Sequence, residues 1–287
     1  GEVLVGVAAA GVNPVDTYIR SGQYAAVPPL PYTPGLDAAG VIEAVGAGVD
    51  DWQVNDRVIV SQTTDGHGCY AELTLCPADG VHPLPDRLTF EQGAAVHVNY
   101  VTAFRALLDH GKMRRGDRVF IHGGTGGVGL AAIQICKAHG IPVDATGGTE
   151  EGRAALVEQG VDHAVPHGGF DQLDQPPTLI LENLANVNLP ADLEAIAPGG
   201  RIVCVGARGD VTITPRVFLA KHPVLTGMNL YDGGPAGIKR AYEALNVGLA
   251  NGDLNPVIGQ RFPLAEAAAA HEAVMTDGKV GKIVLTM

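Results

Sequence analysis

The chain contains the run Asp117-Arg-Val-Phe-Ile-His-Gly-Gly-Thr-Gly-Gly-Val-Gly-Leu-Ala-Ala-Ile-Gln-Ile-Cys-Lys137, and no other stretch says as much about its architecture. Val119 to Ile121 are apolar and predict a short strand, and Leu130 to Ala138 have the spacing of an amphipathic helix. Between them, Gly124-Thr-Gly-Gly-Val-Gly129 predicts a tight turn. A glycine turn between a strand and a helix is typical of a dinucleotide site.

The glycines of this turn have separate predicted tasks. Gly124 allows a sharp turn, Gly126 lets the backbone approach a diphosphate, and Gly129 lets the helix lie close to the strand. The free N–H groups of the first helical turn then face the phosphates, so Gly127 and Val128 join the predicted contacts. A glycine-rich turn without a ligand is the alternative.

Composition limits the class of protein. With 287 residues, 46% hydrophobic and 17% charged, the chain can form a substantial core in one large domain or two ordinary ones. The net charge of −12, with no block of Lys and Arg, argues against a nucleic-acid surface. No apolar run approaches the roughly 20 residues that span a bilayer, and we see no signal peptide. Four cysteines without a CxxC pair predict reduced thiols in a cytoplasmic protein.

The pattern of predicted secondary structure changes twice along the chain. Residues 1–95 read as short strands separated by turn signals, among them Gly66 to Gly68, which suits a small irregular β-barrel. Strands and helices then alternate, which predicts a doubly wound parallel sheet. After Gly252 the pattern is again that of a small β-barrel. We therefore predict an α/β fold in which residues 1–95 and 253–287 form one domain and residues 96–252 form an inserted nucleotide-binding domain.

The inserted domain is predicted element by element. Its predicted strands are 118–122, 142–146, 163–165, 178–181, 201–205 and 224–230. Its predicted helices are 97–110, 129–139, 150–158, 189–196 and 236–250.

Four motifs carry a family resemblance, and they are Ala10-Gly-Val-Asn-Pro-Val-Asp-Thr-Tyr-Ile-Arg-Ser-Gly22, Leu30-Pro-Tyr-Thr-Pro-Gly35, Ala39-Gly-Val-Ile-Glu-Ala-Val-Gly46 and Gly123-Gly-Thr-Gly-Gly-Val-Gly129. The chain resembles the zinc-free NADPH:quinone oxidoreductases, the ζ-crystallin group of the medium-chain dehydrogenase/reductase superfamily, over essentially its whole length. The resemblance implies a GroES-like barrel, a Rossmann domain, NADPH as cofactor, a quinone acceptor and a homodimer. It also implies one or two further strands before Glu2.

A metal is not expected. Zinc-dependent relatives have Gly-His-Glu where this chain has Gly35-Leu36-Asp37, and Leu36 has no lone pair to offer a metal. Hydride transfer to an acceptor that needs no Lewis acid remains, and quinones fit this because the nicotinamide carries the chemistry.

The resemblance also implies roles for single residues. Tyr18 and Tyr24 are expected to contact the acceptor, with Asp16 beside them, on a loop that Pro14 preorganises. The alternative for both tyrosines is packing of the cleft wall. The implied cofactor contacts outside the glycine turn are Asn13, Thr102, Gly148, Thr149, Arg153, His167, Asn183, Gly206, Arg208, Asn229 and Lys282. Three of these, Arg153, Arg208 and Lys282, have the alternative of being solvated cations.

The cofactor is predicted to be NADPH. NAD-binding folds usually place an acidic residue at the tip of the second strand, and this tip reads Ala145-Thr-Gly-Gly148. Asp144 supports the opposite choice by its spacing from the turn, although it stands inside the strand. The resemblance implies that the loop Gly148–Gly152 and His167 surround the 2′-phosphate, and Arg153 could supply a fixed positive charge.

Two other functions stay open. An enzyme with the same hydride chemistry could reduce the activated C=C bond of a 2-alkenal or enone, and a crystallin-like or RNA-binding protein needs no turnover. A homodimer is expected to form through the sheet edge at residues 224–230.

Overall fold

The computed structural model describes residues 1–62 and 67–287, so the turn predicted at Gly66 to Gly68 lies partly outside the described residues. The chain forms two compact units. The terminal unit comprises Gly1–Asn99, Tyr242–Asp277 and Gly281–Met287, and the parallel-sheet unit comprises Tyr100–Ala241 and Gly278–Val280. The domain limits predicted from the sequence stay a prediction.

The regular elements follow in chain order. The strands are β1 (Glu2–Val12), β2 (Asp37–Val45), β3 (Arg57–Ser61), β4 (Leu73–Pro77), β5 (Val81–Pro83), β6 (Val119–Ile121), β7 (Val143–Thr146), β8 (Ala164–Val165), β9 (Leu179–Glu182), β10 (Arg201–Cys204), β11 (Val224–Gly227), β12 (Ile258–Pro263) and β13 (Lys282–Thr286). The helices are α1 (Pro14–Arg20), α2 (Phe90–Gly93), α3 (Thr102–Phe104), α4 (Gly127–Ala138), α5 (Glu150–Glu158), α6 (Ala185–Ala195), α7 (Arg216–Lys221), α8 (Gly234–Asn251) and α9 (Ala267–Met275). Turns of π-helix at His97–Val101 and Arg105–His110 flank α3.

The terminal unit is built around β1. Its seven-stranded sheet has the order β12-β13-β1-β2-β3-β5, and β4 also pairs with β1. The early part of β1 pairs with β4 and the later part with β13, while β2 lies along its other edge. Val3, Val5 and Val7 alternate into a core that they share with Ile42 and Val60, as period-two apolar spacing requires.

The segment after β1 is a helix, whereas the sequence suggested a loop. Pro14 occupies the first helical position, where its missing N–H costs nothing and its φ is already helical. The Asp16 carboxylate accepts a hydrogen bond from the backbone N–H of Asn13, 2.8 Å away. The proline and this hydrogen bond together start α1. Asp16 and Tyr18 therefore lie on one short helix.

The parallel-sheet unit confirms the predicted doubly wound topology. Its six parallel strands have the order β11-β10-β9-β6-β7-β8, and the six predicted strands are all present. Their ends move by up to three residues, most at β11, which stops at Gly227 rather than 230. Phe120, Ile180 and Ile202 form the core of one sheet face with leucines of α6.

Candidate active site

The glycine turn joins β6 to α4 as predicted, but the sharp turn is made by a different glycine. The left-handed residue is Gly123, with φ of 62°, rather than Gly124. A Cβ on Gly124 would lie 2.7 Å from the Ala145 side chain, so this position needs glycine for close packing. A Cβ on Gly129 would lie 2.4 Å from the Gly123 carbonyl oxygen, which agrees with the close helix approach expected there.

The amino end of α4 has the properties of an anion site. Gly126 is the N-cap, it has no side chain to cap the helix, and a Cβ there would touch only the Gly123 carbonyl oxygen, at 3.4 Å. The first-turn N–H groups of Gly127, Val128 and Gly129 have no acceptor one turn earlier, so they can bind phosphate oxygens. These residues fit a dinucleotide diphosphate.

The end of β7 fixes the turn. The Thr146 hydroxyl accepts a hydrogen bond from the Gly123 N–H at 2.9 Å, and its carbonyl accepts one from the Gly124 N–H at 2.9 Å. Thr146 therefore pins the turn to the neighbouring strand.

Three predicted phosphate contacts lie together just beyond β7. The Thr149 hydroxyl caps α5 by accepting from the Gly152 N–H at 3.0 Å, and the Arg153 guanidinium donates to the Gly147 carbonyl at 3.0 Å. The exposed His167 imidazole lies so close to Gly148 that a Cβ there would be 3.1 Å from its Nε2. The structure thus groups one hydroxyl, one guanidinium and one imidazole.

Asp144 does not belong to this group. Its carboxylate is fully buried and binds Arg118 Nε at 3.0 Å and His163 Nδ1 at 2.8 Å. Both carboxylate oxygens of Asp144 are therefore bound to protein side chains. This carboxylate is not available to bind the ribose hydroxyls of NAD.

The loops after β9, β10 and β11 carry all but one of the remaining predicted contacts of this unit. Asn183 donates from Nδ2 to the His122 carbonyl at 2.7 Å, and Gly206 packs against the Asn183 backbone. Arg208 is exposed. The exposed Asn229 is held through its carbonyl by Arg105, at 3.0 Å. Thr102 is buried in α3.

A buried cluster beneath these loops was not found from the sequence. His122 Nε2 lies 2.6 Å from Asp192 Oδ1 and 3.4 Å from Glu182 Oε2. At most 3% of any of the three side chains is exposed. Burial lowers the pKa of His122 and raises the pKa values of Glu182 and Asp192. His122 and Glu182 each directly follow three apolar strand residues. A polar residue at that position is the sequence signal that could have revealed them.

In the terminal unit, Lys282 is part of a buried ion network. Its ammonium donates to Asp37 Oδ2 at 2.7 Å and to Asn13 Oδ1, and Asn13 Nδ2 donates to the same Asp37 oxygen at 2.8 Å. The Val98 N–H donates to Asp37 Oδ1 at 2.7 Å. Asn13 and Lys282, both predicted cofactor contacts, thus bind one carboxylate.

Asp16 stands beside this network. Its Oδ2 accepts from the Tyr70 hydroxyl at 3.2 Å, and His271 Nε2 lies 3.3 Å from that hydroxyl. Burial, with Asp37 adding to it, raises the pKa of Asp16 to about 7, although the Asn13 N–H, Lys282 and Tyr70 lower it. The half-buried Tyr18 shares α1 with Asp16, and the half-buried Tyr24 follows in the next loop. Tyr70 and His271 were not predicted.

Comparisons with known proteins agree with both units. Residues 1–86 match the family model of the alcohol dehydrogenase GroES-like domain, and residues 127–247 match that of the zinc-binding dehydrogenase. The quinone oxidoreductase of Rattus norvegicus is 42% identical, with 100% of this chain and 89% of that protein covered. The quinone oxidoreductase of Sus scrofa is 43% identical with the same coverage.

A solved structure extends the likeness to three dimensions. The quinone oxidoreductase from Thermus thermophilus, solved also in complex with NADPH, has a TM-score of 0.86 at 29% identity, with 100% of this chain and 92% of that chain covered. The length of chain matched and the identity to the mammalian proteins are sufficient to assign the family. The chain belongs to the quinone oxidoreductases of the medium-chain dehydrogenase/reductase superfamily.

Proposed function

We propose that this protein reduces quinones with NADPH. The observation that carries the proposal is the uncapped helix end at Gly126, beside a strand tip that offers a guanidinium and an imidazole but no carboxylate. The relatives named quinone oxidoreductases and the NADPH complex of one structural neighbour support it. When bound, NADPH supplies a hydride, which is two electrons and one proton, and a second proton completes the hydroquinone.

The backbone of the glycine turn would hold the diphosphate. The N–H groups of Gly127, Val128 and Gly129 present partial positive charge that needs no side chain, and Thr146 keeps them in place. Gly126 leaves space for the ligand, and Gly124 lets the turn pack against Ala145. Asn183, Gly206, Arg208 and Asn229, on the loops after the next three strands, would line the nicotinamide half, with Thr102.

Arg153 and His167 would bind the 2′-phosphate, with Thr149 and Gly148 completing that end. Arg153 is half-buried and already oriented by its bond to the Gly147 carbonyl, so little freedom is lost when it binds. Since Asp144 is bound to Arg118 and His163, no acidic side chain of the strand repels the phosphate.

On the acceptor side we propose Tyr18, Tyr24 and Asp16. A phenol can stack on a planar ring and donate a hydrogen bond to a forming oxyanion. No zinc is part of the proposal. Leu36 is buried and offers no ligand, and the ammonium of Lys282 already neutralises the adjacent Asp37 carboxylate.

Titration with NADPH and NADH, followed by fluorescence, tests the site. Arg153→Ala should weaken NADPH binding about tenfold, the loss of one charge-assisted hydrogen bond, and leave NADH binding unchanged. Arg216→Ala, on the exposed face of α7, is the control. Equal loss for both nucleotides would remove Arg153 from the 2′-phosphate site.

The acceptor class is tested by turnover of benzoquinone, naphthoquinone and a 2-alkenal. We expect quinones to be preferred in kcat/KM. Preference for the alkenal by more than about tenfold, a 1.4 kcal/mol difference in transition-state binding, would assign the enzyme to C=C reduction instead.

We further propose a homodimer in the cytoplasm. β11 is the outer strand of its sheet, and Val224 on it is 55% exposed. If the β11 strands of two copies paired, they would cover the unpaired backbone groups of this edge and the Val224 side chain. Light scattering that finds only monomer would contradict it. Among the described residues, no helix is long and apolar enough to cross a membrane.

A further inference from the structure

His122 and Glu182 lie where the glycine turn and the loop after β9 begin, and Asp192 reaches His122 from helix α6. His122 is the last residue before the glycine turn, and its carbonyl oxygen is held by Asn183. Glu182 directly precedes Asn183, and its Oε1 accepts from the Leu184 N–H and from Asn188 Nδ2, the latter at 3.1 Å. The Glu182 carbonyl also accepts from the Val205 N–H at 2.7 Å, at the start of the loop after β10. One cluster therefore supports the three loops.

Among the described residues, no cation balances the charges of this cluster. The rings of Phe120 and Phe170 contact the His122 ring, with centroids 5.0 and 5.7 Å from its centroid, and the Asn188 amide contacts Glu182. The other titratable group nearby is the Cys204 thiol, whose pKa is raised by burial and by both carboxyls. Two ionised carboxylates here would carry two buried negative charges, which is strongly unfavourable.

A shared proton resolves this imbalance. Asp192 Oδ2 and Glu182 Oε2 are buried oxygens with no hydrogen-bond partner when both carboxyls are counted as ionised. A proton on either carboxyl bonds the two groups together. His122 then stays neutral, donating from Nε2 to Asp192, while its buried Nδ1 carries no proton.

A metal ion fits the cluster less well than a proton. One atom of each residue lies within 4.8 Å of the others, a spacing that could suit a divalent cation. However, nitrogen and oxygen ligands about 2.0–2.2 Å from a tetrahedral zinc would stand about 3.3 Å apart. The 2.6 Å between His122 Nε2 and Asp192 Oδ1 is a hydrogen-bond distance.

We propose that His122, Glu182 and Asp192 are positioning residues for the dinucleotide, and that they keep the three cofactor loops in binding geometry only while they hold a shared proton. Loss of that proton adds a second negative charge directly behind the turn that receives the diphosphate. It also separates the two carboxyls, since they then repel each other. The proposal rests on the proposed use of NADPH.

The test compares wild type with Asp192→Asn and Glu182→Gln. An amide replaces the shared proton by a permanent N–H donor of nearly the same shape, so both variants should bind NADPH normally at pH 6. In wild type the NADPH dissociation constant should rise between pH 6 and pH 8 by at least threefold more than in either variant; one linked proton allows at most about tenfold per pH unit. The 2′-phosphate and His167 are the same in all three proteins, so the difference isolates the cluster.

Asp117→Asn is the matched control, because Asp117 is a buried carboxylate of the same unit that Arg201 neutralises. It should show the wild-type pH dependence. Thermal unfolding at both pH values gives a readout that needs no ligand: wild type should lose more stability from pH 6 to pH 8 than either amide variant. If only one of the two amide variants folds, the comparison of that variant with wild type tests the proposal.

Two results would overturn the proposal. One is the same pH dependence of unfolding in wild type and the amide variants, and the other is a stoichiometric metal in the purified protein. If no protein binds NADPH while the unfolding difference is present, the proposed function fails and the proton-holding cluster stands.

Discussion

The two units each bury a carboxylate network, and they neutralise it in opposite ways. In the terminal unit Asp37 is fully buried against the ammonium of Lys282. In the parallel-sheet unit Glu182 and Asp192 are equally buried, with the weakly basic His122 beside them. The first network contains its own cation, whereas the second has to hold a proton to offset its charge. The first network is therefore a fixed structural bond, and the second depends on pH.

The largest expected effect comes from removing the cation. Lys282→Met leaves the Asp37 carboxylate buried and unneutralised, which should lower the free energy of unfolding by about 3–5 kcal/mol. Urea unfolding at pH 7 measures this. Asp37→Asn in the same chain should restore part of the loss, since the amide is neutral and still accepts from the Val98 N–H. A loss below about 1 kcal/mol would mean that the two networks do not differ as argued.

A change of pH is expected to have a smaller effect on the free energy of unfolding. The folded pKa values of Glu182 and Asp192 are raised to about 7 from 4.5 and 3.8, so the folded protein holds more protons than the unfolded chain between about pH 4 and pH 7. Their contribution is complete below pH 4 and is lost as pH rises through 7. Asp192→Asn should flatten the fall in stability by up to about 1.4 kcal/mol per pH unit.

Asp16 must be separated from that effect, because its pKa is raised in the same direction. Asp16→Asn therefore serves as the companion variant in the same unfolding series. If the whole slope disappears with Asp16→Asn and none with Asp192→Asn, the pH-dependent network belongs to the terminal unit.

The smallest effect concerns Tyr70. Its hydroxyl donates to Asp16 and lowers the pKa of that carboxyl, so Tyr70→Phe should raise the Asp16 pKa by about half to one unit, the worth of one hydrogen bond. Carboxyl ¹³C shifts across a pH series measure it. An unchanged titration would show that Tyr70 only fills space.

The sequence predicted the parallel-sheet unit better than the terminal one, for a physical reason. Alternating apolar strands and amphipathic helices repeat a strong periodic signal, and β6, β7 and α4 lie within two residues of their predicted ends. Short strands such as β4 and β5 and the helix α1 carry no such period. Pro14 reads equally well as a loop residue or as the first residue of a helix, and only the Asn13–Asp16 contact settles it.

The residues of the candidate site divide in the same way. Backbone sites such as Gly126 and Gly129 are visible because glycine is required by local geometry. Long-range partners are not visible: Lys282 binds Asp37 across almost the whole chain, and Asp192 reaches His122, at the end of β6, from helix α6. Such contacts depend on the tertiary fold, so spacing along the sequence carries no signal for them.

The position of β1 has a consequence for biosynthesis. On the edge of β1 that faces away from β2, Ala9 to Val12 pair with Ile283 to Thr286, which are synthesised after the parallel-sheet unit. At about 5–20 residues per second, this edge of the first strand stays unpaired for tens of seconds while the parallel-sheet unit is made and can fold. Nascent chains should thus expose this edge of β1 until β13 has emerged, and chaperone capture of stalled ribosome complexes should be lost at that point.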